Sequence, residues 1–129
     1  MIISHPLTFN LKNKILVLLL IISGLATAQN ETNNWYFGEN AGLDFSNGTV
    51  NIHNDGKMST IAGCSTISDR DGKLLFYTNG NKVWNKNHQL MENGNNLPAE
   101  VENTQTSIII PQPGNDNTYF IFTTRTAPT

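Results

Sequence analysis

Asp69 and Asp71 lie two residues apart around Arg70 and just before Gly72. Calcium loops use such spacing, because a hard cation needs several oxygens from a short stretch. A complete loop also needs further oxygen ligands and a closing bidentate Glu, but Leu74, Leu75 and Phe76 stand downstream. A turn uses the same residues, since Asp and Gly both suit turn conformations. The turn is the preferred reading. Asp69 and Asp71 remain weak metal candidates, and no cofactor is expected.

Other chemistry finds less support. Glycosidases need two carboxylates that meet in space, from any position in the sequence. The acids to watch are Asp44, Asp69, Asp71, Glu92, Glu100 and Glu102. His53 and His88 have no metal-ligand spacing, and a surface or strand-edge role is expected for both. Ser65, Ser68 and Ser107 lack the Gly-x-Ser-x-Gly context of a nucleophile elbow. Cys64 is the single cysteine, so no internal disulfide can form. No Arg, Lys or His neighbours it in sequence to activate the thiol, so it reads as a small apolar strand residue. No catalytic residue is assigned, and a non-enzymatic role is expected.

The aromatic residues carry the binding candidates. Trp35, Tyr77 and Trp84 can stack on a sugar ring or anchor a protein partner. Packing between sheets is the commoner use of such side chains, and it is the preferred reading here.

These residues have to be positioned by short strands. After the N-terminal region no stretch shows helical periodicity, and β-type runs alternate with turn signals. Residues 73–78 (KLLFYT) and 118–124 (TYFIFTT) are the strongest strands. Asn79-Gly80 between apolar runs predicts an antiparallel hairpin joining 73–78 to 82–85. Residues 65–68 followed by 75–78 match 107–110 followed by 120–123, each a strand, a polar turn and an aromatic strand ending in Thr. That offset is the length of a propeller blade, and residues 35–45 read as a shorter first copy. A propeller closes with about four blades or more, so two to three WD40- or kelch-like units predict an incomplete, all-β propeller. A fragment of a larger protein is therefore expected. The last strand, 119–123, is expected to expose an edge that pairs with other chains.

The N-terminus reads as an export signal. Lys12 and Lys14 precede the apolar run 15–22, and Ala26-Thr27-Ala28 supplies an A-x-A cleavage site. The run is about a dozen residues, short of the roughly 20 that span a bilayer. Residues 1–28 are thus assigned as signal peptide and 29–129 as the β domain, placing the protein outside the cell or on its surface. The formal net charge of −2 becomes more negative once Lys12 and Lys14 are removed. That balance disfavours nucleic acid and anionic membranes.

Several segments in order resemble a known group. They are residues 35–38 (WYFG), 40–45 (NAGLDF), 63–69 (GCSTISD), 72–80 (GKLLFYTNG), 83–85 (VWN), His88, 104–111 (TQTSIIIP) and 119–123 (YFIFT). This set resembles the N-terminal propeller-like region of large proteins that gliding bacteria export by type IX secretion, often with a gliding-motility-associated sorting domain. The resemblance implies a surface protein in adhesion or another interaction, with a protein or glycan partner. It implies no catalytic residues. The alternative is a carbohydrate- or peptide-processing domain whose acids converge from different loops.

If the export reading is right, secreted material should begin near Gln29. Intact-mass and N-terminal peptide measurements check this, and full-length protein held in the membrane would refute it.

Overall fold

The computed structural model describes residues 10–23, 30–100 and 102–125. One helix, α1 (Leu11–Ser23), coincides with the apolar run. Leu11 and the apolar side chains from Ile15 to Leu19 are exposed. No helix among the described residues is long and apolar enough to cross a membrane. The proposed cleavage site at 26–28 lies outside the described residues.

Eight strands follow: β1 (Asn34–Phe37), β2 (Ala41–Asp44), β3 (Asn51–His53), β4 (Ser65–Ser68), β5 (Leu74–Thr78), β6 (Val83–Asn85), β7 (Ser107–Pro111) and β8 (Tyr119–Thr123). They form three small antiparallel sheets, β1-β2-β3, β4-β5-β6 and β7-β8, here called sheets 1, 2 and 3. The chain is therefore all-β after α1, built of successive hairpins. Residues 35–45 form part of a complete three-stranded sheet that continues to His53.

The expected hairpin is present, with Thr78 opposite Val83 and Tyr77 opposite Trp84. Its loop is longer than a two-residue turn. Only Gly80 takes a positive φ, at 85°. Asn79 instead uses its side chain, with Oδ1 accepting from the N–H groups of Asn81 and Lys82. Asn favours such turns because its carbonyl mimics a backbone acceptor.

Strand alternation divides the core. Because side chains alternate across a strand, Thr66, Tyr77 and Trp84 share one face of sheet 2, while Ile67, Phe76 and Val83 share the other. The first face packs on Tyr36 of sheet 1 and on Met58. The second packs on Ile109, Tyr119 and Ile121 of sheet 3. Sheet 2 is thus covered on both sides, which explains the consecutive buried residues Phe76, Tyr77 and Thr78. The first strands of the sheets are also stitched together. Tyr36 N–H donates to Thr66 Oγ1 at 2.9 Å, and Ser65 Oγ donates to the Ser107 carbonyl at 2.7 Å.

The sequence match between residues 75–78 and 120–123 does not carry over face for face to sheets 2 and 3. The sequence match equates Tyr77 with Phe122 and Phe76 with Ile121. Tyr77 faces the preceding sheet, but Phe122 faces away from it, and Ile121 takes the contact. A propeller arises by radial repetition of one arrangement. The described residues show no closed ring.

Gly42 lies opposite Tyr36 in the register. A Cβ there would sit 2.8 Å from Tyr36 Cε1 and 3.2 Å from His53 Cβ. Tyr36 is held in a ring stack and cannot move aside. Gly42→Ala should therefore destabilise the protein by about 1–3 kcal/mol, the usual cost of overpacking; urea titration reads it directly.

Candidate functional site

The aromatic candidates fall into two settings. Tyr77 is 0 % exposed and Trp84 7 %. Tyr77 stands between Tyr36 and Trp84 in a three-ring stack, with centroids 4.7 Å and 5.5 Å apart and planes within 15° of parallel. Both faces of the Tyr77 ring are taken, so Tyr77 and Trp84 serve the core and no ligand reaches them.

The polar edge of this stack is a closed network. Tyr36 Oη donates to Asp55 Oδ1 at 3.1 Å. Asp55 Oδ2 lies 3.4 Å from His88 Nε2, and His88 Nδ1 lies 3.1 Å from Tyr77 Oη. The Lys57 N–H donates to that same Tyr77 oxygen at 3.0 Å. Tyr77 is then free to give its proton to Nδ1, which leaves Nε2–H facing Asp55, a tautomer assigned from the network. His88 reaches this position through a tight turn. It adopts a φ of 60°, its N–H donates to the Asn85 carbonyl, and Asn85 Oδ1 accepts from Asn87 and Gln89.

This network corrects the expectation for His88. Its side chain is only 17 % exposed, packed on Tyr36 and Tyr77 rather than lying on the surface. Both ring nitrogens are engaged, so the imidazole has no free lone pair to take a proton from a substrate. His53 sits half-buried on β3 as a strand residue. Burial, together with the bond to Asp55 and the Asp55 charge, pushes the Tyr36 hydroxyl well above the ordinary tyrosine range. Burial likewise raises Tyr77. Burial opposes the Asp55 charge, yet the Tyr36 hydrogen bond and nearby His88 keep its carboxyl below the usual range.

Trp35 occupies the opposite face of β1. It is 53 % exposed and lines a groove of about 480 Å3 with Phe37, Leu43, Cys64, Ser65 and Thr66. Its ring is fixed by an Nε1–H bond to the Thr32 carbonyl at 2.8 Å and by Phe45, with ring centroids 5.3 Å apart. The polar groups of the groove are already committed. Thr66 Oγ1 bonds the Tyr36 backbone, Ser65 Oγ the Ser107 carbonyl, and Asn34 Nδ2 the Gly72 carbonyl. The Cys64 thiol points to the Tyr36 carbonyl at 3.5 Å, and burial raises its pKa. The groove therefore offers rigid apolar surface and few open hydrogen-bonding groups.

Of the acidic candidates, Asp69 and Asp71 line one cleft, joined there by Glu31 and Asp116, which sequence reading did not single out. Asp69 Oδ1 accepts from the N–H groups of Asp71 and Lys73, closing the turn expected there. Asp116 pairs with Arg70 at 2.6 Å, and Asp71 lies 3.8 Å from Lys73. The described residues hold no group of three His, Cys, Asp or Glu side chains able to bind a metal. Asp55 and His88 were also missed as partners. Asp55 followed by Gly56 reads as a turn, and no spacing links residue 55 to residue 88. Comparisons of the chain with protein-family models, with curated proteins and with solved structures find no match.

Tyr77→Phe removes the one oxygen that serves both Lys57 and His88, leaving the Lys57 N–H and a largely buried imidazole without that partner. The expected loss is about 1–3 kcal/mol. The same network sets a pH range. Tyr36 and Tyr77 have raised folded pKa values, so their stabilisation is complete below the unfolded value near 10 and falls as pH rises past it. Asp55 is depressed, so its contribution holds above about 3.9 and is lost as pH falls further. A melting temperature that is flat between these limits and drops beyond both is expected from thermal scans, with the alkaline drop reduced in Tyr36→Phe.

Proposed function

We propose that the chain is a secreted or cell-surface, non-catalytic binding or scaffolding module, part of a larger adhesion- or motility-associated protein. The observation that carries this reading is the pair of apolar faces at the ends of the sheet stack. Trp35, Phe37 and Ile52 are exposed on sheet 1, and Ile108, Ile110, Phe120 and Phe122 on sheet 3. Contiguous exposed apolar patches mark interaction surfaces. The adjacent first strands β1, β4 and β7 are consistent with an incomplete propeller. The apolar helix, with Lys12 and Lys14 near its start, supports export.

The enzymatic alternative draws on the cleft of Asp69, Asp71, Glu31 and Asp116, where Asp69 Oδ1 is held by backbone N–H groups, Asp116 Oδ1 by Arg70, and Asp71 Oδ2 lies near Lys73. A binding assay with the full chain on intact cells of its source separates the two. Trp35→Ala should weaken binding at least about tenfold, as expected of an aromatic anchor, while Asp71→Asn leaves it unchanged. Hydrolysis of surface glycans or peptides that disappears in Asp71→Asn or Glu31→Gln would favour the enzyme instead.

A further inference from the structure

We infer that the outer face of sheet 1 in one copy takes the outer face of sheet 3 from a second copy, so that two chains close head-to-tail around both contacts. The inference rests on the binding-module reading and names the partner of that same surface.

The groove beside Trp35 first narrows the chemistry of its occupant. A sugar needs open donors and acceptors, whereas Asn34 Nδ2, Ser65 Oγ and Thr66 Oγ1 are engaged by backbone and side-chain partners within the fold. What remains is a fixed indole, Phe37, Leu43 and, across the sheet, Ile52, which is 76 % exposed. Such a surface fits apolar side chains presented on a firm backbone. Sheet 3 presents them. Ile108 stands opposite Phe122 and Ile110 opposite Phe120, giving a four-residue apolar face with each side chain 42–54 % exposed.

Area supports the pairing. At about 200 Å2 for a large side chain, the exposed fractions of the two faces amount to roughly 700 Å2 of apolar surface per contact. Apolar atoms make up about 60 % of an interface, so the whole contact is on the order of 1,200 Å2, the lower limit of a stable specific interface. Two such contacts in a closed dimer double it. A symmetric pairing of sheet 3 with sheet 3 would bury a similar area once and leave Trp35 and Ile52 in water. The head-to-tail arrangement covers both faces. Sheet-on-sheet packing is also how this chain already joins sheet 1 to sheet 2 and sheet 2 to sheet 3.

Mixing single-face variants of the full chain tests this. One variant carries Phe37→Asp and Ile52→Asp, the other Ile108→Asp and Phe122→Asp. All four positions are exposed, and unchanged circular dichroism and melting confirm that each variant folds. Leu16→Lys with Leu18→Lys in α1 controls for association through the helix. Light scattering after gel filtration is run at about 50 µM, within the range where exposed apolar surfaces associate. The wild type and the α1 variant should be dimers, each face variant alone a monomer, and the mixture of the two a one-to-one dimer held through its one intact contact and weaker than the wild type. Monomeric wild type, open polymers, a face variant that still dimerises, or an α1 variant that becomes monomeric would each overturn the inference. Monomeric wild type whose Trp35→Ala form still loses cell binding would leave the binding-module reading standing without it.

Discussion

Tyr77 is the residue on which the structure depends. It is fully buried, yet it carries a hydroxyl that must find partners. A buried hydroxyl without a hydrogen bond costs several times what a satisfied one contributes. That demand fixes the loop at 55–58, which brings Lys57 N–H, and the turn at 85–89, which brings His88. His88 then needs Asp55, and Asp55 is also the acceptor for Tyr36. One buried oxygen therefore sets the position of two loops and of the aromatic ring that anchors sheet 1.

The consequence is a central layer with two different faces. Toward sheet 1 it presents aromatic rings with a polar edge, and toward sheet 3 it presents Ile67, Phe76 and Val83, with Ser65 bonding the Ser107 carbonyl beside them. The first contact is selective, because rings and hydrogen bonds must align together. The second is held by shape, with Phe76 meeting Tyr119 edge-on at a centroid distance of 5.4 Å.

The strands were legible in the sequence, and their partition between core and surface was not. Residues 74–78 and 119–123 show β-branched and aromatic runs bounded by turn residues, and the Asn79-Gly80 punctuation located the hairpin. Alternation says that Trp35 and Tyr36 point opposite ways but not which one is buried. Gly42 decides it, because only the face lacking a cross-strand side chain can accept the Tyr36 ring. Sequence reading ranked core packing first for Tyr77 and Trp84 and a surface role for His88. The former follows from the general habit of aromatics. The latter failed because His88 is turned inward by a positive-φ turn that Asn85 builds, with its partner Asp55 more than thirty residues away.

Polar chemistry and apolar surface are thus separated in this chain. The titratable groups with shifted protonation are Tyr36, Asp44, Asp55, Cys64 and Tyr77. Perturbed groups are the usual pointer to an active site. Here each one is explained by a structural partner or by burial: Asp44 by Ser46, Asp55 by Tyr36 and His88, Cys64 and Tyr77 by the core around them. Within the network around Tyr77, Asp55 keeps an exposed side, while both His88 ring nitrogens are taken up by Asp55 and Tyr77. The surfaces that stay open are the aromatic and aliphatic ends of the stack. Exposed apolar patches of this kind gain energy only when another surface covers them, which is the physical basis of the association proposed above.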